Sequence, residues 1–296
     1  MSPARPSVRH PQLTSGTREL VRRALAEDRA RADLTTKRLF PRPFRASAVV
    51  TAQARGVLAG LPAAVETARQ LGLRARALSR DGARLHSGTR VLRVDGDARA
   101  ILAGERTILN FLMHLSGVAS ATDRAVHRAR AAQPGFRVRG TRKTTPGLRL
   151  LEKAAIEAGG GEPHRRDLAS GLLVKNNHLA LLPLEEAVRR GKKGSRQPLQ
   201  VEVHSASQAV RAVRAGADAL LLDNLRPPEI RRVLQQLTRL GRAGRVPVEL
   251  SGGIEESSLA RYARTGASSA SLGSLTHSAP ALPFHLTVVP VRPPPT

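Results

Sequence analysis

Residues 139–178 read RGTRKTTPGLRLLEKAAIEAGGGEPHRRDLASGLLVKNNH. The stretch holds Arg142, Lys143, His164, Arg165 and Lys175, and each of these cations stands beside a short apolar run, a glycine cluster or a turn. The apolar runs FRVRG, which begins at Phe136 and leads into the stretch, and GLLVK flank a helical pattern, LRLLEKAAIEA. Strand, helix and strand in that order make a parallel sheet, because parallel neighbours need a crossover between them. Cations at the ends of such strands read as a pocket for an anion rather than as a solvated face.

The same rhythm continues to residue 277. GLLVKNNH precedes LEEAVRRG, LQVEVHS precedes SQAVRAVRAGA, ALLLDN precedes PPEIRRVLQQLTRLG, PVELSGG precedes SSLARYARTGA, and SASLGSLTH closes the series. Each run ends in polar or glycine-rich residues: Arg142-Lys143, Lys175 to His178, Glu202 and His204, Asp223-Asn224, Ser251 to Gly253, then Gly273 to His277. In a parallel barrel these ends form one face, the face that carries active sites. Wet loops alone explain one or two such ends, but poorly six. Six units are fewer than the eight of a full barrel, so an incomplete barrel is expected, with a flat doubly wound sheet as the alternative.

Upstream the pattern differs. A short helix is expected over 18–26 and a strand over 45–55, and Gly56 and Gly60 bracket a turn into a helix over LPAAVETARQLG. LRARALS, ARLHSG and TRVLRVDGDA read as strands, with Asp81-Gly82 and Asp95-Gly96 as turn signals, giving an antiparallel α+β layer. Residues 104–131 are helical, with Ile108, Leu109, Leu112 and Leu115 on one face and Ser116-Gly117 as an expected break. On spacing alone Arg106 is a solvated charge. FHLTVV, after residue 280, is one more strand that could return to the first layer. The expected organisation is a loose segment at 1–16, an α/β sandwich at 17–115, a barrel at 116–279, and a returning strand with an extended tail at 280–296.

Composition narrows the class. The 296 residues are 41% hydrophobic, enough for a sizeable core. There are no cysteines, so disulfides and thiolate metal sites are excluded. No segment approaches the ~20 apolar residues of a membrane span, and the start, MSPARPSVRHPQLTSG, lacks a signal-peptide core; a cytoplasmic location is expected. The net charge of +26 raises nucleic acid as a partner. Against that, the arginines are spread along many helices, and five Phe with one Tyr offer few platforms for bases. Only six lysines occur, and Lys143, Lys153 and Lys175 fall in the opening stretch.

The strand ends divide by chemistry. Arg142, Lys143, Arg165 and Lys175 can clamp two carboxylates, with His164 as a further donor. Glu202 and Asp223 can take Mg²⁺ or ribose hydroxyls. Ser251-Gly252-Gly253 and Gly273-Ser274 present backbone N–H groups where a phosphate sits well. A carboxylate receptor, a cation position and a phosphate cradle suggest transfer of a phosphorylated sugar to an acidic acceptor.

GERTILNFLMHLSGVAS, GTRKTTPGLRLLEKAA, GGGEPHR, LVKNNH, VEV, AGADALLLDN, ELSGGI and SLGSLTHSA follow one another in an order and spacing that resemble the quinolinate phosphoribosyltransferases of NAD biosynthesis. The resemblance runs from about residue 20 to 286. It implies an N-terminal α/β sandwich, an incomplete seven-stranded α/β barrel, and a homodimer. It implies a quinolinate-binding set of Arg106, Arg142, Lys143, His164, Arg165 and Lys175, with Arg106 lent by the neighbouring subunit. It places Glu202 and Asp223 toward ribose and Mg²⁺, and Ser251, Gly252, Gly253, Gly273 and His277 toward the 5-phosphate of phosphoribosyl pyrophosphate. Lys143, Lys175, Glu202 and Asp223 are the expected catalytic residues. The alternatives are a related phosphoribosyltransferase with another acceptor, such as nicotinate, and a basic nucleic-acid-binding protein on the same fold. Two positions depart from the family pattern: Asn176 stands where an aspartate is common, and His204 where an acidic residue is frequent.

Overall fold

In the first stretch of sheet, alternation decides which face is buried. Strand β1 (Arg45–Ala52) buries Ala46, Ala48, Val50 and Ala52 and turns the residues between them outward, as the two-residue period of a strand requires. The computed structural model describes residues 14–291 of the chain; the expectations for 1–13 and 292–296 lie outside them. The chain forms two compact units. One comprises residues up to 123 together with 145–160 and the segment from 278 onward; the other comprises 124–144 and 161–277.

The first unit contains α1 (Ser15–Glu27), α2 (Leu34–Leu39), β1, β2 (Gly56–Val57), α3 (Leu61–Gln70), β3 (Arg74–Ala77), β4 (Arg84–Leu85), β5 (Arg90–Asp97) and most of α4 (Ala98–Ala132). Helix α1 opens three residues before the expected start, because the Thr14 hydroxyl accepts the Thr17 N–H and caps it. Asp95-Gly96 is not a turn. It lies within β5, where Asp95 accepts from Ser47 of β1 and from Arg93, and where a side chain at position 96 would meet Leu73 at 2.6 Å.

Helix α4 runs without interruption through Ser116-Gly117. Ser116 exchanges hydrogen bonds with both backbone groups of Ala59, at 3.0 and 3.1 Å, and Ser120, one turn on, accepts the Val57 N–H at 2.9 Å. At Gly117 a Cβ would lie 2.3 Å from the Pro280 carbonyl oxygen. Small residues that suggested a break are therefore points of close approach. Leu58, Leu92, Ile101, Ile108 and Leu112 are wholly buried in this core, each burial contributing about 1.5–3 kcal/mol.

In the second unit lie β6 (Arg137–Arg139), β7 (Leu172–Val174), α6 (Asn176–Leu179), α7 (Leu184–Lys192), β8 (Leu199–Val203), α8 (Ala206–Arg214), β9 (Ala219–Asp223), α9 (Pro227–Arg239), β10 (Val248–Ser251), α10 (Leu259–Ala263), β11 (Ser269–Ser271) and α11 (Ser274–His277). The intervening helix α5 (Arg149–Ala158) belongs to the first unit, as does β12 (Phe284–Pro290), which pairs antiparallel with β1 as the returning strand. The antiparallel sheet has the order β12-β1-β5-β3.

The six strands expected from the sequence form one parallel sheet in the order β6-β11-β10-β9-β8-β7. Leu220, Leu221 and Leu222 of β9 are all buried, as in a parallel sheet covered on both faces. Arg137 and Arg139 use one edge of β6 for β11; Val138 and Gly140 use the other for a parallel bridge to Glu162. That single bridge is all that forms of a seventh strand among the described residues.

Candidate active site

After β6 the chain makes a tight passage through Arg142 and Lys143. The Lys143 N–H donates to Thr141 Oγ1 at 3.0 Å, and its carbonyl accepts from Thr276 Oγ1 at 2.8 Å. A side chain at Gly273 would come within 2.9 Å of Lys143 Cδ and 3.0 Å of His277 Nε2. The glycine therefore lets the lysine stem and the imidazole share one place. Lys143, expected on the carboxylate side, thus also borders the Gly273–His277 side.

Arg142 and Arg165 supply the clearest electrostatic signal. The Arg165 guanidinium is held below its ordinary value, first by burial and then by the charge of Arg142. Arg142 Nε is a buried donor without an acceptor among the described residues. Two cations kept close with a donor unspent favour an anion between them, since an unpaired buried polar group costs roughly 1–3 kcal/mol.

His164 has a left-handed backbone, φ +55°. Its Nδ1 accepts the Arg165 N–H at 2.7 Å, so the ring proton sits on Nε2 and is donated to Glu249 Oε2 at 3.2 Å. Glu249 is 2% exposed and also accepts from Arg139 at 2.9 Å and Gln200 at 3.1 Å. Burial pushes its carboxyl up, but the His164 hydrogen bond and the charge of Arg139 outweigh that and hold it at about 2. The sequence does not single out Glu249, Arg139 or Gln200. Its one signal for them is a lone acid inside the apolar run PVEL.

The acidic side is built by neighbouring strands. Glu202 is buried near the end of β8, with Asp223 ending β9. Lys175 Nζ lies 3.6 Å from Glu202 Oε2, and the Asn176 N–H donates to Glu202 Oε1 at 3.3 Å. Asp223 Oδ2 accepts from Asn224 Nδ2 at 2.8 Å. Asn224 is itself left-handed, φ +56°, and donates its N–H to the Ser251 carbonyl at 3.0 Å. Gly252 must be glycine here: its φ is +82°, and a Cβ would fall 2.3 Å from Asn224 Oδ1. His178 shapes the loop, its Nδ1 accepting the Lys175 N–H at 2.9 Å.

Every expected site residue except Arg106 lies in the second unit. Arg106 stands exposed on α4. His204, left out of the expected set, joins the acidic side: its ring lies 4.0 Å from Glu202 Oε1 and 3.9 Å from Asp223 Oδ2.

Family comparison matches residues 33–116 to the N-terminal domain of quinolinate phosphoribosyl transferase and residues 118–287 to its C-terminal domain. The chain belongs to the quinolinate phosphoribosyl transferase family. It is 41% identical over 264 residues to the probable carboxylating nicotinate-nucleotide pyrophosphorylase of Methanothermobacter thermautotrophicus, covering 88% of this chain and 95% of that one. The carboxylating nicotinate-nucleotide pyrophosphorylase of Homo sapiens is 41% identical over 242 residues, 81% of each chain. The solved nicotinate-nucleotide pyrophosphorylase of Francisella tularensis superposes with a TM-score of 0.85 at 33% identity, over 93% of this chain and 96% of that one. Within the quinolinate phosphoribosyl transferase frame, Asn176 and His204, the two departures from the family pattern, touch each other: His204 Nε2 lies 2.6 Å from Asn176 Oδ1.

Proposed function

We infer that the chain transfers the phosphoribosyl group of phosphoribosyl pyrophosphate to quinolinate and releases pyrophosphate and carbon dioxide, leaving nicotinate mononucleotide, a step of NAD biosynthesis. The observation that carries the acceptor is the Arg142–Arg165 pair, two crowded cations with a buried, unspent donor. Planar guanidiniums match carboxylates in two-point fashion, and two of them with Lys175 and His164 suit a dicarboxylate better than a monocarboxylate.

In this reading the ring nitrogen of quinolinate attacks C1 of the ribose while the bond to pyrophosphate breaks. Glu202 and Asp223 lie where positive charge develops on the sugar and stabilise it as fixed charges. When the bond to the 2-carboxylate then breaks, carbon dioxide leaves and the electron pair stays on carbon 2, where the adjacent cationic nitrogen stabilises it until carbon 2 takes a proton. Lys143 and Lys175 position the carboxylate and offset pyrophosphate charge, and Ser251, Gly252, Gly253, Gly273 and His277 receive the 5-phosphate. The oxygen donors of Glu202 and Asp223 suit Mg²⁺, directly or through water; when bound, that ion supplies charge for the leaving pyrophosphate. Arg106 completes the set from a second copy in a homodimer. It is exposed and makes no hydrogen bond or ion pair among the described residues. A cytoplasmic location belongs to the same reading; among the described residues no helix is long and apolar enough to cross a membrane.

The test is incubation with phosphoribosyl pyrophosphate, Mg²⁺ and either quinolinate or nicotinate, following nicotinate mononucleotide and carbon dioxide. Product with carbon dioxide from quinolinate is expected. Product from nicotinate alone, or undiminished product with Arg165→Ala, overturns the assignment.

A further inference from the structure

Glu202 and His204 are two apart on one chain, so their side chains share a face. The parallel register Val203↔Leu222 brings the next position, His204, beside Asp223. One ligand atom from each of Glu202, His204 and Asp223 lies within 4.8 Å of the others. The imidazole is already oriented. Nε2 faces the Asn176 amide oxygen at 2.6 Å, an acceptor, so that nitrogen carries a proton. The ring stands between the two acids: Nε2 is 4.0 Å from Glu202 Oε1, and Nδ1 is 3.2 Å from the Asp223 carbonyl oxygen and 3.9 Å from Asp223 Oδ2. All of these oxygens are acceptors too. Electron pairs converging in this way call for a cation among them. A ring nitrogen turned to a metal while the other donates to a fixed acceptor is the usual setting of a ligating histidine. The carboxylates are braced as well, Glu202 by the Asn176 N–H and Asp223 by the Asn224 amide.

We propose that Glu202, His204 and Asp223 form a site for a divalent first-row transition ion, and that His204 makes it discriminate against Mg²⁺. The inference deepens the metal side of the reading above and rests on it for its role in the reaction. Two carboxylates alone favour a hard, water-rich ion such as Mg²⁺; an imidazole nitrogen shifts the preference toward Mn²⁺, Co²⁺ or Zn²⁺. Asn176 belongs to the device, because its amide holds the ring proton on Nε2 without adding a further negative charge.

Mn²⁺ titrated into the full chain without substrates tests this by electron paramagnetic resonance. The expected result is saturable binding of a single ion per chain. Mg²⁺ should displace it only at concentrations roughly tenfold or more higher, and pulsed spectra should show ¹⁴N modulation from a directly bound nitrogen. His204→Glu restores the acidic residue frequent in the family; it should keep Mn²⁺ binding, lose the nitrogen modulation and bring Mn²⁺ and Mg²⁺ close to parity. His204→Gln should lose the modulation as well. Mn²⁺ bound without nitrogen modulation, discrimination unchanged in a folded His204→Glu protein, or no saturable Mn²⁺ binding would each overturn the proposal. No acceptor or sugar donor is present, so failure of the transferase assay is read separately from failure here.

Discussion

His164 Nε2 donates to Glu249 Oε2 across 3.2 Å, joining a residue of the proposed anion pocket to a carboxylate sealed inside the parallel sheet. The same oxygen receives Arg139 and Gln200, so strands β6, β8 and β10 meet at one atom. The position of His164, and of the Arg165 N–H bonded to its other nitrogen, is thus fixed from beneath.

Replacing Glu249 with Gln keeps the shape and removes the charge. Arg139 loses one of its two acids, and we expect a loss of about 3 kcal/mol in urea unfolding, the lower end for breaking a buried pair. The KM for quinolinate should rise more than kcat falls, because the pocket is displaced rather than depleted.

Acid should reveal the same group. The Glu249 carboxyl is depressed from 4.5 to about 2 in the folded chain. A depressed folded value means that its stabilisation is present above the unfolded value and lost as pH falls toward the folded one. The stability difference between wild type and Glu249→Gln should be constant above pH 4.5 and shrink between pH 4.5 and 2. A difference that grows on acidification would contradict this.

Gly273→Ala isolates Lys143. The backbone there is not left-handed, and the atoms nearest to the new Cβ belong to the side chains of Lys143 and His277. Both can shift, so the melting temperature should change little. The lysine is then misplaced, and kcat/KM should fall on the order of tenfold to a hundredfold, as small misplacements of a positioning group do.

Arg106 is checked by mixing. Arg106→Ala and Arg165→Ala proteins should each be nearly inactive, with losses of about 2–4 kcal/mol in transition-state stabilisation. Co-refolded in equal amounts, they should recover about a quarter of wild-type activity, since half the dimers are mixed and each mixed dimer keeps one intact site. No recovery would place Arg106 in its own chain's site or outside any site.

Gly117→Ala tests the unbroken helix. The added methyl group would press on the Pro280 carbonyl oxygen, a backbone atom that cannot swing aside. Destabilisation of about 1–3 kcal/mol is expected from overpacking. An intrinsic break at this point would instead be relieved by alanine, and the protein would gain stability.

The parallel sheet was legible because its signal is local. Each apolar run and the polar residues ending it are adjacent in sequence, so strand periodicity alone sets Lys175, Glu202, Asp223 and Ser251 on one face. Residues whose role depends on a distant partner were not legible. Glu249 looks like a stray acid until Arg139, His164 and Gln200 surround it. Ser116 and Gly117 resemble a helix break until Ala59 and Pro280 stand against them. Asp95-Gly96 carries the chemistry of a turn, but the pairing of β5 with β1 and the proximity of Leu73 decide otherwise. Asn176 and His204, read separately, were two unexplained departures; only the fold shows that they are one contact.

The returning strand has a consequence for how the chain is made. Val49 of β1 pairs with Thr287 of β12, 238 positions later. While the ribosome is still producing the barrel strands, β1 has β5 on one edge and nothing on the other. An unpaired edge of this kind is a template for association with other chains. Closing so long a loop also weighs on folding rate more than on final stability. The first unit, although it comes first in the sequence, is completed last, and truncation a few residues before Phe284 should yield a chain that aggregates during synthesis rather than a slightly weakened enzyme.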